Sequence, residues 1–336
     1  MSKVTSLEVA RRAGVSQSAV SRVFTPGASA SAKTAEKVKR AAKELGYRPN
    51  VLARAMVSGK SRIIGLVVAY LENQFYPVAL ELLSNALQER GYHLLIFTAP
   101  NSTDGVEGVI ADLMDYQVDG IIAASVSLSS PLAKRARAAG VPVVLFNRGQ
   151  IGADFSNVTS TNYDGAHEVT TYLLGTGHTR IAHIAGWQGS QTGQERVRGF
   201  EAALAAVGQK PFAVVDGMYK RDVAAACAHQ LLSGTRPDAI FVGNDHMAFA
   251  VLDVIRDMGM TPGKDISVIG FDDVPQASWG GYNLATYRQP VNRMVKATVD
   301  LILDQVESGL AAPRKIEIKG ELILRGSVRT PEGVAP

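Results

Sequence analysis

Residues 5–24 read TSLEVARRAGVSQSAVSRVF, and the spacing of their apolar side chains predicts two short helices. Apolar residues of the first half recur at steps of three and four, as Leu7, Val9, Ala10 and Ala13. Gly14 then permits a tight turn, and Ser16 is suited to cap a second helix. The stretch therefore predicts a helix-turn-helix.

A third helix is predicted over SAKTAEKVKRAAKELG, with Ser31 as its N-cap and Gly46 as its C-cap. The three helices would form one compact unit. Helical hairpins with glycine turns also occur in plain bundles, so the pattern by itself leaves the function open.

The distribution of charge along the chain helps to distinguish a binding unit from a plain helical bundle. Residues 1–62 contain 13 lysines and arginines against 3 acidic residues, whereas residues 63–336 contain 22 against 28. A folded basic segment of this kind favours a polyanionic partner. The N-terminus lacks the apolar core of a signal peptide and the chain has no run of 18 apolar residues, so we expect a cytoplasmic protein with no membrane partner.

Residues 4–62 resemble the DNA-binding headpiece of the LacI/GalR family of bacterial transcription regulators. The family pattern V-A-x-x-A-G-V-S-x-x-x-V-S-R is matched by Val9, Ala10, Ala13, Gly14, Val15, Ser16, Val20, Ser21 and Arg22. Ala19 departs from the threonine usual in the family. The resemblance implies that Gln17, Ser18 and Arg22 face base edges, and that Thr5, Ser16 and Ser21 contact phosphates.

The chemistry of these residues agrees with that assignment. The amide of Gln17 matches an adenine edge, and the guanidinium of Arg22 matches guanine. Short hydroxyls at a helix start suit phosphate oxygens. The alternative is an ordinary surface glutamine and an arginine engaged in a salt bridge.

The segment NVLARAMVSGKS, residues 50–61, predicts a helix of about eight residues that needs a packing partner to be stable. The resemblance supplies two partners: the same helix of a second subunit and the DNA minor groove. Met56 replaces the family's wedging leucine, and the implied DNA contacts here are Asn50, Ala53, Arg54 and Met56. Alternatively, Met56 packs only against the neighbouring domain.

From residue 62, short β-branched runs alternate with amphipathic helices, which predicts two doubly wound lobes with parallel sheets. This region resembles the type I periplasmic-binding-protein-like fold, which implies crossings between lobes near Thr161, Gln289 and Ile318. The predicted organisation is a headpiece, a hinge helix with its linker, an effector domain that also dimerises, and a tail, at residues 1–49, 50–61, 62–330 and 331–336.

Motifs for catalysis, metal binding and cofactor binding are missing from the sequence. It has no phosphate loop, no nucleophile elbow, no paired cysteines and no histidines three or four apart. We therefore expect neither an enzyme nor a metal or cofactor site.

A ligand cleft is expected where strands end between the two lobes. The R-x-x-G-F signature of the family is matched at Arg196, within QERVRGF. By resemblance, the polar ligand contacts are Arg196, Asn147, Asn244 and Asp272, and the candidate aromatic walls are Phe75, Tyr76, Trp187 and Tyr219. Arg148, beside Asn147, is also compatible with an anionic ligand. The alternative roles are helix and turn caps for the polar residues and core packing for the rings.

A carboxylate, a guanidinium and a stacking ring suit a sugar, and also a purine or a hydroxy acid. Our hypothesis is a transcription regulator, expected to be a repressor, that binds a palindromic double-stranded DNA operator as a homodimer and responds to a small effector, most simply a sugar or sugar derivative. The rival readings are a solute-binding protein, an enzyme on a similar scaffold, and a regulator whose cleft binds a protein partner.

Overall fold

The computed structural model describes most of the chain, namely residues 4–25, 28–48, 60–69, 71–99, 103–126, 128, 130–149, 155–309 and 312–329. The predicted hinge contacts Asn50, Ala53, Arg54 and Met56, and the tail at 331–336, lie outside the described residues. The backbone divides into two compact units, residues 1–62 and 63–336. None of the described helices has both the length and the hydropathy required to cross a bilayer.

The first unit has three helices: α1 (Ser6–Ala13), α2 (Gln17–Phe24) and α3 (Ala32–Leu45). Their ends are determined by local signals. Gly14 and Gly46 end α1 and α3 in the left-handed conformation, with φ of 66° and 65°. Ser16 and Ser31 accept hydrogen bonds from backbone N–H groups at the starts of α2 and α3. The predicted caps are confirmed.

A small apolar core holds these helices together. Val9 of α1, Val20 of α2 and Val38 of α3 are fully buried against one another. Each helix therefore presents its polar face outward, and that of α2 becomes available for recognition.

The second unit alternates strands with helices. In chain order these are β1 (Ile63–Val68), α4 (Phe75–Glu89), β2 (His93–Thr98), α5 (Thr103–Asp115), β3 (Gly120–Ala124), α6 (Ser130–Ala138), β4 (Val143–Phe146), β5 (Ser156–Ser160), α7 (Asn162–Gly175), β6 (Ile181–Ala185), α8 (Gln191–Ala206), β7 (Ala213–Asp216), α9 (Arg221–Leu232), β8 (Ala239–Val242), α10 (Asp245–Asp257), β9 (Ser267–Asp272), β10 (Ala285–Arg288), α11 (Val291–Ser308), β11 (Lys315–Ile318) and β12 (Glu321–Ile323). A short 3₁₀ turn, Pro275–Ser278, precedes β10.

The strands form two six-stranded sheets, one in each lobe. The first lobe has the order β11-β5-β4-β3-β1-β2, and the second has β12-β10-β9-β8-β6-β7. Six of the twelve strands, β3, β4, β5, β6, β8 and β9, are buried along their whole length, as the continuous apolar runs predict. The chain passes from the first lobe to the second after β5, returns after β10, and enters the second again after β11.

One pairing departs from the all-parallel expectation. Strand β12 runs antiparallel to β10, with Tyr287 opposite Leu322. The carboxyl ends of both sheets face the cleft, and β12 follows β11 after only two residues. A strand that enters the second sheet directly from the cleft starts at its carboxyl edge, so it must run against its neighbour.

Candidate functional site

Helix α2 carries an exposed polar face. Gln17, Ser18, Ser21 and Arg22 are all exposed, and Val20 on the opposite side is in the core. Residues at these spacings share one side of a helix, so two short hydroxyls, an amide and a guanidinium are displayed together. Such a set can donate to and accept from base edges and phosphates.

The hydroxyls predicted to contact phosphates also organise the helix starts. Thr5 accepts from the N–H of Glu8, and the Glu8 carboxylate accepts from the N–H of Thr5 at 2.6 Å, which completes a capping box. The hydrogen bonds that the carboxylate accepts from the backbone N–H and the hydroxyl of Thr5 lower the pKa of Glu8. At the start of α2, Gln17 donates to the Ser6 hydroxyl at 2.9 Å. This contact joins the beginnings of α1 and α2.

A small cavity lies between the lobes, at the carboxyl ends of strands from both sheets. Its lining side chains are Asn73, Tyr76, Ser125, Asn147, Arg148, Thr192, Arg196, Tyr219, Asn244 and Asp272. The structure thus brings together seven of the nine candidate ligand residues. Its volume of about 20 Å³ is close to that needed for one water molecule. A ligand pocket of about 300 Å³ or more therefore requires the lobes or side chains to move apart.

The other two candidates lie outside this lining. Phe75 is buried and stacks on Phe146, with ring centroids 6.1 Å apart, and it lines a neighbouring pocket of about 350 Å³ together with Asp272 and Gln289. Trp187 is 39% exposed, and its ring centre lies 5.8 Å from the guanidinium carbon of Arg148. Trp187 is therefore placed at the rim.

Asn73, Ser125 and Thr192 line the cavity but were not predicted. Each follows the carboxyl end of a strand: Asn73 after β1, Ser125 after β3 and Thr192 after β6. That position was the available signal, because polar residues after parallel strands converge on one edge of a sheet. The residue type alone gave no indication.

A hydrogen-bond network centred on Asp272 joins the lobes. Asn73 of the first lobe donates to its Oδ2 at 3.1 Å. Gln289, in the crossing segment, donates to its Oδ1 at 2.6 Å and accepts from Ser160 at 2.8 Å. These contacts connect the two sheets at the point where a ligand would lie.

Asp245 is a second buried carboxylate close to Asp272. It accepts from the Thr286 hydroxyl at 2.6 Å and from the Val274 N–H at 3.0 Å. Burial, and then the neighbouring Asp272 carboxylate, raise the pKa of Asp245. Burial also raises the pKa of Asp272, but Arg196 and the two amide donors oppose that effect. Asp272 is therefore the more readily ionised member of the pair.

Arg196 is held by the second lobe itself. Its Nε donates to Asn162 Oδ1 at 3.0 Å, and its Nη1 donates to the carbonyl of Gly243. The guanidinium carbon lies 3.6 Å from the ring centre of Phe271. These contacts fix the charge beside Asp272.

Three other lining residues retain buried polar atoms without a hydrogen-bond partner. They are Asn147 Oδ1, Arg148 Nε and Nη1, and Asn244 Nδ2. The Oδ1 of Asn244 caps α10 by accepting from the Met247 N–H at 2.9 Å, so Asn244 is both a cap and a cavity residue. Buried polar groups are normally satisfied, so these three side chains have atoms available to hydrogen-bond a ligand in the cavity.

The backbone of the cavity is also unusual. Ser125, Asn147, Tyr219 and Asp272 have φ of 59°, 52°, 57° and 133°. Residues other than glycine rarely adopt these values, and strain of this kind is concentrated at functional sites. Tyr219 further depends on Gly186, because a Cβ at that position would overlap the tyrosine ring.

The cavity is equipped for binding. It presents two arginines, one ionised carboxylate, amides and hydroxyls, and no group of three or more candidate metal ligands occurs among the described residues. His178 does not line the cavity: it is buried, and its ring nitrogen lies 2.8 Å from the Ser267 hydroxyl.

Comparisons with known proteins agree with both units. The model of bacterial regulatory proteins of the lacI family matches residues 6–50, and a periplasmic binding protein-like domain matches residues 170–328. The transcriptional regulator CelR of Thermobifida fusca is 32% identical over 329 residues, covering 95% of this chain and 96% of CelR. The repressor PurR of Vibrio vulnificus is 29% identical over 326 residues, covering 96% and 98%.

A solved structure of the Lac repressor dimer, bound to operator and the anti-inducer ONPF, superimposes with a TM-score of 0.88 at 26% identity, covering 98% of this chain and all of that one. A CelR–cellobiose complex superimposes with a TM-score of 0.73 at 32% identity, covering 97% and 100%. Fold and site thus define a DNA-binding regulator with a two-lobed ligand domain. The chain belongs to the lacI family of bacterial regulatory proteins, which confirms the predicted family and two-part fold.

Proposed function

We propose that this protein is a transcription repressor that binds a roughly palindromic operator as a homodimer and responds to a small polar effector held between its lobes. The observation that carries this proposal is the presence in one chain of an exposed polar face on α2 and a small polar cavity between lobes. The effector would be a sugar or sugar derivative, since a carboxylate and arginines beside amide groups suit hydroxyl-rich molecules.

The relatives support each part. The Lac repressor structure is a dimer on operator DNA, and the CelR structure holds cellobiose. Two identical headpieces related by a two-fold axis would read inverted half-sites. Repression of this kind takes place where the DNA is, in the cytoplasm, and requires no catalysis.

Gln17, Ser18 and Arg22 would then read bases, and Thr5, Ser16 and Ser21 would contact phosphates. The hinge residues Asn50, Ala53, Arg54 and Met56 would bind the minor groove. In the cavity, effector hydroxyls would replace Asn73 as partners of Asp272, so binding would alter the contacts that join the lobes. That change would be transmitted to the paired hinge segments.

Selection of bound fragments from random DNA tests the operator part. The purified protein should enrich sequences that contain an inverted repeat. Arg22→Ala should lower binding to the enriched site by about tenfold or more, because a bidentate contact to guanine is worth about 1–3 kcal/mol. Arg221→Ala removes an exposed arginine of the second unit, which pairs with Asp253, and should leave operator binding unchanged. A pool that stays random in sequence would refute the proposal.

A further inference from the structure

The first-lobe wall of the cavity contains a buried cation without a counter-ion. Arg148 is 6% exposed. Its Nη2 donates to the carbonyl of Ser125 at 2.8 Å, whereas its Nε and Nη1 have no partner. None of the ion pairs found among the described residues involves this guanidinium. The fold alone therefore leaves a positive charge uncompensated.

The other charges of the cavity do not compensate Arg148. Asp272 lies beside Arg196, whose charge lowers the pKa of Asp272 against the effect of burial. Asp245 is not part of the lining, and its two oxygens accept from Val274 and Thr286 rather than facing the cavity. The lining thus contributes two guanidinium groups and one carboxylate, and it carries a net positive charge.

Helix ends increase this positive potential. Helices α4, α8 and α10 begin beside the cavity, where Tyr76, Thr192 and Asn244 of their first turns or caps line it. The first N–H groups of a helix carry the positive end of its dipole and favour anions. The unpartnered Nδ2 of Asn244 adds a further donor.

We infer that the effector is a small polyhydroxylated anion whose carboxylate or phosphate binds Arg148, with its hydroxyl groups directed to Asp272 on the facing wall. This inference rests on the proposed function and specifies its ligand class. A buried charge whose partner is missing is strongly unfavourable, and a ligand anion supplies both the counter-charge and acceptors for Nε and Nη1. A neutral sugar supplies acceptors only. Asn147 Oδ1 would accept a ligand hydroxyl.

A matched set of ligands tests this inference on the full-length protein. Binding is measured by calorimetry for a series of hexoses, the corresponding hexuronates and the hexose 6-phosphates. At least one acidic member should bind about tenfold or more tightly than its neutral parent, because hydrogen bonds to charged groups are the stronger class. The uronate and phosphate arms distinguish the two sources of negative charge.

Two variants assign the preference to one residue. Arg148→Gln should abolish the advantage of the acidic member, and Arg148→Lys should retain only part of it because the fork geometry is lost. Arg198→Gln, on the exposed side of α8, should keep the full preference. Inorganic phosphate provides a probe that needs no knowledge of the ligand: it should raise the unfolding temperature of the wild type more than that of Arg148→Gln.

The outcomes separate this inference from the proposed function. Equal or tighter binding of a neutral hexose would overturn the anion inference and leave the proposed function standing. Equal stabilisation of wild type and Arg148→Gln by phosphate would also overturn it. Failure to enrich an operator would instead remove the proposed function, whatever the ligand series shows.

Discussion

The two walls of the cavity each contribute a buried arginine, and the two arginines are held in different ways. Arg196, in the second-lobe wall, has an amide acceptor, a carbonyl acceptor, an aromatic ring beneath it and a carboxylate nearby. Arg148, in the first-lobe wall, has the Ser125 carbonyl and a distant indole ring. The difference indicates that the fold completes the second-lobe wall by itself, whereas the first-lobe wall is completed by a ligand.

The largest expected effect on stability follows from removing Arg196, the arginine of the second-lobe wall. Arg196→Met should lower the free energy of unfolding by about 3–5 kcal/mol, because it removes the cation beside Asp272 and the donor to Asn162 Oδ1 and the Gly243 carbonyl. Denaturant unfolding of the variant measures this. The control is Arg198→Met on the exposed side of the same helix. A loss of unfolding free energy below about 1 kcal/mol would contradict the difference described between the two walls.

An intermediate effect on stability concerns Asp245, the buried carboxylate next to Asp272. Asp245 has a raised pKa in the folded state, so the folded protein keeps a proton that the unfolded chain releases near the ordinary value of 3.8. This contribution to stability is present at low pH and is lost as the pH rises toward the raised pKa. In Asp245→Asn the side chain cannot ionise, so the variant should not lose stability in this way as the pH rises.

Unfolding of the wild type and of Asp245→Asn should therefore be compared between about pH 5 and about pH 8. The wild type should become less stable relative to the variant by about 1–2 kcal/mol over that range. Asp265→Asn, an exposed carboxylate that accepts from Thr261, serves as the control. A relative stability that stays constant with pH would show that Asp245 is ionised throughout.

The smallest expected effect on stability concerns Arg148, the arginine of the first-lobe wall. Without ligand, Arg148→Met should leave the free energy of unfolding unchanged or raise it, because the variant removes an uncompensated buried charge and loses only the hydrogen bonds to Ser125. The same denaturant titration detects the change. Destabilisation as large as that of Arg196→Met would mean that the fold already satisfies Arg148, and the contrast between the walls would disappear.

Local signals accounted for the features that depend on neighbouring residues. Gly14 and Gly46 end helices because only glycine adopts the left-handed conformation without strain, and Ser16 and Ser31 cap because their hydroxyls reach the next turn. Asn147, Asn244 and Asp272 were predicted as strand-end residues and do line one cavity. Their roles in binding remain predictions.

The features that the sequence did not predict depend on contacts between distant segments. Asn73 meets Asp272 across 199 positions of sequence, and nothing in its local pattern specifies that partner. The antiparallel direction of β12 follows from the side on which the chain enters the second sheet. The unpartnered nitrogens of Arg148 can be recognised only when every neighbouring atom is placed.

The most direct test of the central claim is operator affinity measured with and without the effector, for the wild type and for Asp272→Asn. The claim is that occupation of the cavity controls DNA binding by the headpiece. It predicts that the effector changes the affinity of the wild type by about 5- to 150-fold, the usual range for coupling of this kind, and leaves that of the variant unchanged. An equal response in both proteins, or an operator affinity that no effector alters, would contradict it.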